Sequence, residues 1–179
     1  AIQPFIDERP YIVFGHCMGG LTGFEVVRQL RRQNSPLPVH LFISAFVGPH
    51  LHGKCESTIF DVSEGVVDDF FVELGGTPQE VLDNLGLMTL ARVVMDADLD
   101  LLRSYTYLDE GPLEMPITTF GAVQDKLVIV SEIEEWARQT TKSYELIMNP
   151  GNHFWMQTHP AYIMRTLGNR LRSVVAANT

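Results

Sequence analysis

Cys17, Asp125 and His153 have the residue types, and the chain order, of a nucleophile, an orienting acid and a general base. Cys17 is the centre of Gly15-His16-Cys17-Met18-Gly19, a G-x-nucleophile-x-G pattern with cysteine where serine is usual. Such a turn strains the backbone of its middle residue, and side chains at Gly15 or Gly19 are expected to strike neighbouring backbone. A thiol there faces a helix N-terminus, which favours the thiolate. The Met18 N–H is the expected oxyanion donor. Asp125 follows Gly121-Ala122-Val123-Gln124, and His153 follows Asn149-Pro150-Gly151-Asn152, so each sits in a loop just past an apolar run. Asp96, Asp98 and Asp100 are competing acids. Taken singly, these features have plainer explanations: a glycine-rich turn with an incidental cysteine, a turn aspartate, a packed histidine. In this order they point to nucleophilic catalysis. His16 is expected to pack and to point away from Cys17. No metal site is expected, because the chain has no CxxC or HxxxH spacing.

The elements that must hold these residues can be read from apolar runs and turn residues. Tyr11–Phe14, Val39–Ser44, Pro116–Phe120 and Tyr144–Met148 read as buried strands. Met18–Arg32 carries Leu21, Phe24, Val27 and Leu30 at helical spacing and stops before Asn34, Pro36 and Pro38. Ser131–Gln139 reads as a helix with Ser131 and Glu134 forming a capping box. His159–Ala176 is the last helix, with Ile163, Leu167 and Leu171 on one stripe. The alternation predicts an α/β protein with a mostly parallel sheet covered on both faces. Residues 62–108 lack a strand pattern and are broken at Gly75, Gly76, Pro78 and Gly86, so a helical lid inserted after a strand is expected there. The first recognisable strand already enters the Cys17 turn, so the sheet is either thin or lacks earlier strands.

Composition narrows the function further. The chain has 179 residues, 45% of them apolar and 20% charged, which fits one domain spanning 1–179 with its own core. Its formal charge of −9 argues against a nucleic-acid partner, and no apolar run is long enough for a membrane span. With only Cys17 and Cys55 present, no disulfide framework is expected, and a reducing, cytoplasmic compartment is.

Several separated motifs resemble one family. Tyr11-Ile-Val-Phe-Gly-His-Cys-Met-Gly-Gly20, Leu74-Gly75-Gly76-Thr77-Pro78, Asp96-Ala-Asp-Leu-Asp-Leu-Leu-Arg-Ser-Tyr105, Pro116-Ile-Thr-Thr-Phe-Gly121 and Gly151-Asn-His-Phe154 are similar to the type II (editing) thioesterases of polyketide and nonribosomal peptide synthesis. The resemblance implies an α/β-hydrolase core, a helical lid and acyl or peptidyl carrier proteins as partners. No cofactor is implied, since the substrate carries the phosphopantetheine. The family has serine where this chain has Cys17. It also has an N-terminal portion, with further strands and a second oxyanion donor, so a missing N-terminal portion of the same fold is an expected partner. Three alternatives stay open: a chain-releasing or cyclising thioesterase domain, a carboxylesterase, and a non-catalytic binding module on the same fold.

Overall fold

The computed structural model describes residue 6, residues 9–58, residue 71 and residues 76–177. Four strands, β1 (Ile12–His16), β2 (His40–Ser44), β3 (Ile117–Ala122) and β4 (Tyr144–Asn149), form a parallel sheet in the order β1-β2-β3-β4. Gly15 lies beside Ile43, Ser44 beside Phe120, and Gly121 beside Met148, so all four strands end along one edge. The helices are α1 (Met18–Arg32), α2 (Gln79–Leu82), α3 (Leu85–Ser104), α4 (Val130–Glu134), α5 (Trp155–Thr158) and α6 (Pro160–Ala177).

Strand alternation divides the core between the two faces. Leu41, Ile43 and Ile117 pack with Phe24 and Val27 of α1 and with Ile133 and Trp136 beyond β3. Phe42, Phe120 and Ala122 face the other way, against Trp155 of α5 and Ile163 of α6. Burying every β2 residue and every β3 residue between helix layers explains why both strands read as unbroken apolar or small-polar runs. Phe71, Met88 and Leu99 form a separate small cluster within the segment between β2 and β3. The expected helical insertion thus contributes α2 and α3. Residues 62–70 and 72–75, including Phe70, Leu74 and Gly75, lie outside the described residues.

Two local expectations do not hold. The capping box at Ser131 does not form: α4 begins one residue earlier, with Ile129 as N-cap and no side-chain cap. Glu132 instead accepts the backbone N–H groups of Glu56 and Ser57, and the Ser57 hydroxyl accepts the Ile129 N–H. Gly86 does not interrupt its helix, because the Asn84 side chain caps the Gly86 and Leu87 N–H groups at 3.0 and 3.1 Å. Arg28, Arg31 and Arg32 at the end of α1 engage the segment that leaves α3. Arg28 is buried, pairs with Glu25 at 2.6 Å and Glu110 at 3.0 Å, and donates to the Leu108 carbonyl. Arg32 pairs with Glu110 at 2.8 Å, and Arg31 donates to the Pro112 carbonyl at 3.1 Å. Together they latch the segment leaving α3 back onto α1.

The β1–α1 turn is the tightest packing in the fold. A Cβ on Gly15 would overlap the Gly19 carbonyl group and come 2.6 Å from Gly20 Cα. A Cβ on Gly20 would meet Ile43 Cγ2 at 2.9 Å, whereas one on Gly19 would meet nothing within 4 Å. The close approach therefore requires Gly15 and Gly20, and the expectation for Gly19 is corrected: its Cα faces open space. Gly15→Ala should cost at least about 3 kcal/mol of stability in urea unfolding, since backbone must move. Gly19→Ala should cost nothing or add up to about 1 kcal/mol through helix propensity. Equal losses in the two variants would contradict this account of the turn.

Candidate active site

Cys17 holds φ 53° and ψ −131°, a left-handed backbone that a residue with a side chain adopts only under constraint. The constraint comes from both sides. Its N–H donates to the Ser44 carbonyl at 2.8 Å, and its carbonyl accepts the Gly20 N–H at 2.8 Å. Met18 is the first residue of α1, so its N–H has no carbonyl of its own helix to meet. The thiol and this N–H therefore share the helix N-terminus, where partial positive charge favours an anion.

Two later loops reach the same edge and are tied to each other. Val123 N–H bonds the Asn149 carbonyl at 2.9 Å and Gln124 N–H bonds the Gly151 carbonyl at 3.0 Å. Gly151 turns the second loop at φ +108°, a conformation suited to glycine. Asp125 Oδ2 meets His153 Nδ1 at 2.9 Å, while Asp125 Oδ1 accepts the Leu127 N–H at 2.9 Å. Both side chains are almost wholly enclosed, 3% exposed for His153 and 1% for Asp125. With Nδ1 committed to Asp125, Nε2 is the atom of His153 left to face Cys17, which lines the same cavity. Burial alone would lower the His153 pKa. The bonds to Asp125 and Cys17, and the charges of both, outweigh it and raise the pKa from 6.5 to about 9.

A cavity of about 320 Å³ opens over these groups, a volume within the range of small-molecule sites. Its apolar wall comes from Met95, Leu99 and Leu102 of α3, with Met18, Leu127 and Phe154. Asp98 also lines it, while Asp96 and Asp100 are not among its walls. Of the candidate acids, Asp125 is the one bonded to His153. Tyr105 and Tyr107 turn inward instead, bonding Glu25 at 2.7 Å and Gln139 at 3.2 Å. His16 does not point away from the site. Its ring lies 5.0 Å from that of His153 and forms part of the cavity wall. Phe154 escaped the sequence reading as a wall residue, although its place beside His153 was a signal. Gly76 packs on it so closely that a Cβ would come 2.7 Å from Phe154 Cγ. Among the described residues, no group of three or more His, Cys, Asp or Glu could hold a metal ion, and no helix is long and apolar enough to cross a membrane.

A family model for the thioesterase domain matches residues 1–171. Gramicidin S biosynthesis protein GrsT of Aneurinibacillus migulanus is 32% identical over 179 residues, covering 98% of this chain and 68% of its own. The medium-chain S-acyl fatty acid synthase thioesterase of Homo sapiens is 29% identical, covering 87% of this chain and 59% of its own. Among solved structures, ClbQ from the colibactin NRPS/PKS pathway superposes with a TM-score of 0.85 at 26% identity, over 97% of this chain and 73% of that one. The chain thus spans roughly 59–68% of the length of these two curated relatives. The architecture is that of the α/β-hydrolases, as expected.

The raised His153 pKa sets a pH dependence. Its contribution to stability is fully present below about pH 6.5 and is lost as pH rises through about 9. Asp125→Asn removes the first partner that sustains the shift, so the decline across this window should flatten. Urea unfolding at successive pH values reads this directly, and an unchanged decline in the variant would contradict the pairing.

Proposed function

The chain belongs to the thioesterase family, and from that premise we propose that it cleaves acyl groups from phosphopantetheine thioesters of acyl or peptidyl carrier proteins, using Cys17, His153 and Asp125. The observation that carries this reading is His153, bonded to Asp125 and lining one apolar cavity together with Cys17.

In this reading His153 holds the proton as an imidazolium beside the Cys17 thiolate, as its raised pKa favours, and Asp125 orients the ring and stabilises its charge. Cys17 Sγ attacks the thioester carbonyl carbon, and the oxyanion is met by the Met18 N–H. The carbon–sulfur bond to pantetheine breaks as His153 gives its proton to the departing thiolate. Water then attacks the acyl carbon as His153 takes its proton, the carbon–sulfur bond to Cys17 breaks, and the acid leaves with the proton again shared by the Cys17 sulfur and His153. The Met95, Leu99 and Leu102 wall supports an apolar acyl group over a charged one. No cofactor is required, because the substrate brings the pantetheine arm. Pathway relatives in antibiotic synthesis support a carrier-bound substrate in polyketide or nonribosomal peptide assembly.

Cysteine at position 17 supports a second reading, chain release by cyclisation. Exchange of one thioester for another is nearly balanced in energy, and an acyl-cysteine stays reactive toward amines as well as water. Product analysis on an acyl-pantetheine thioester with a terminal amine, which can be hydrolysed or cyclised, distinguishes the readings, and its matched oxyester separates thioester from ester cleavage. For hydrolysis, the thioester should be preferred and the free acid should be the product. Cys17→Ala and His153→Ala should each lower kcat/KM by about 10³-fold or more, and Asp125→Asn by about 10²–10⁴-fold. Cys17→Ser should retain hydrolysis if sulfur has no special role. Losses below tenfold at all three positions would contradict the triad.

A further inference from the structure

Ser44, at the end of β2, joins the two halves of the site through a residue that the catalytic reading leaves without a task. Its side chain is fully buried. Its carbonyl holds the Cys17 N–H, while its hydroxyl lies 3.1 Å from His16 Nδ1 and 3.3 Å from Trp155 Nε1. His16 belongs to the nucleophile turn, and Trp155 stands two residues after His153 in its loop. We propose that Ser44 is a positioning residue, whose hydroxyl ties the His16 ring to the Trp155 indole and so fixes His153 against Cys17. The proposal rests on the reading of Cys17 and His153 as the reacting pair.

Donor and acceptor inventories fix the direction of the chain. An indole N–H only donates, so Ser44 Oγ accepts from Trp155. The hydroxyl then has one proton left, and His16 Nδ1 is the partner within reach, as an acceptor. The His16 ring is therefore neutral, with its own proton on Nε2. That atom is buried and has no hydrogen-bond partner. It sits in a ring packed against His153 at 5.0 Å and Phe154 at 5.5 Å, so the N–H has ring surfaces around it. Neutrality suits the place. Burial and the His153 charge lower the His16 pKa to about 4, with Asp125 opposing weakly. A second cation here would press against the imidazolium that His153 becomes. An uncharged ring instead acts as a wall, and its other edge is anchored to the strand that also anchors Cys17.

Deleting the hydroxyl should loosen the wall without touching a reacting atom. Ser44→Ala leaves the Trp155 N–H and His16 Nδ1 buried without partners, a costly state that moves the loop. The readout is the His153 titration followed by NMR. That ring is faced by Asp125, Cys17 and His16, with Asp98 across the same cavity. In the unmodified protein the midpoint should lie near 9. In Ser44→Ala it should fall toward the ordinary histidine range as the contacts to Asp125 and Cys17 loosen, and Ser44→Thr, which keeps the hydroxyl, should restore it. Trp155→Phe removes the indole donor together with part of a buried ring and should shift the midpoint the same way, which gives a second reading if Ser44→Ala does not fold. A structural role alone would lower the melting temperature and leave the midpoint in place. Unchanged midpoints in Ser44→Ala and Trp155→Phe overturn the proposal, as does NMR placing the His16 proton on Nδ1. Undiminished thioester cleavage in Cys17→Ala contradicts the triad reading itself, and the proposal falls with it.

Discussion

The left-handed backbone at Cys17 is the constraint on which the site depends. A cysteine at φ 53° is held there only because its N–H and carbonyl are both bonded and because Gly15 and Gly20 let strand and helix close to contact distance. The same geometry aims the thiol at the start of α1 rather than along the sheet. A relaxed turn would return Cys17 to an ordinary strand conformation and remove it from the Met18 N–H and from His153 together. Strain at this point is therefore part of how the Cys17 thiol is presented, and the packing of β1, β2 and α1 sustains it.

The second requirement is that a charged pair survive almost complete burial. Asp125 and His153 are nearly enclosed, which would be costly for either alone. They tolerate it because each is fully engaged: Asp125 has one oxygen on His153 and one on the Leu127 N–H, and His153 has Asp125 and Cys17. Their loops do not depend on the pair for their approach, since two backbone bonds already join them. The insertion closes the site from above through Met95, Leu99 and Leu102, and the Arg28–Glu110 latch returns the chain from α3 to the sheet. Shape above and charge below are thus supplied by different parts of the chain.

Much of this was legible in the sequence, for identifiable reasons. Parallel strands buried on both faces give unbroken apolar runs, and prolines and glycines at 15, 36, 38 and 116 punctuate them sharply. Chain order and position past strand ends singled out Cys17, Asp125 and His153. What failed was what depends on distant contacts. Ser131 has the spacing of a cap, yet the bonds of Glu132 to the 56–57 backbone set the start of α4. Gly19 matches the motif, but the crowding is at Gly20, which only the position of Ile43 on β2 reveals. The roles of Arg28 and Arg31 left no mark in the sequence, because the carbonyls they hold lie some eighty residues on. Ser44 carried no signal at all: one serine at a strand end has no pattern until Trp155 is folded onto it.

The central claim is that an acyl group passes through a covalent bond to Cys17. Intact-mass spectrometry during turnover of a short acyl-pantetheine thioester tests it most directly. The account predicts a transient adduct of one acyl group, mapped to Cys17 and absent in Cys17→Ala. Thioester cleavage with no adduct on Cys17, or with equal turnover in Cys17→Ala, would contradict it.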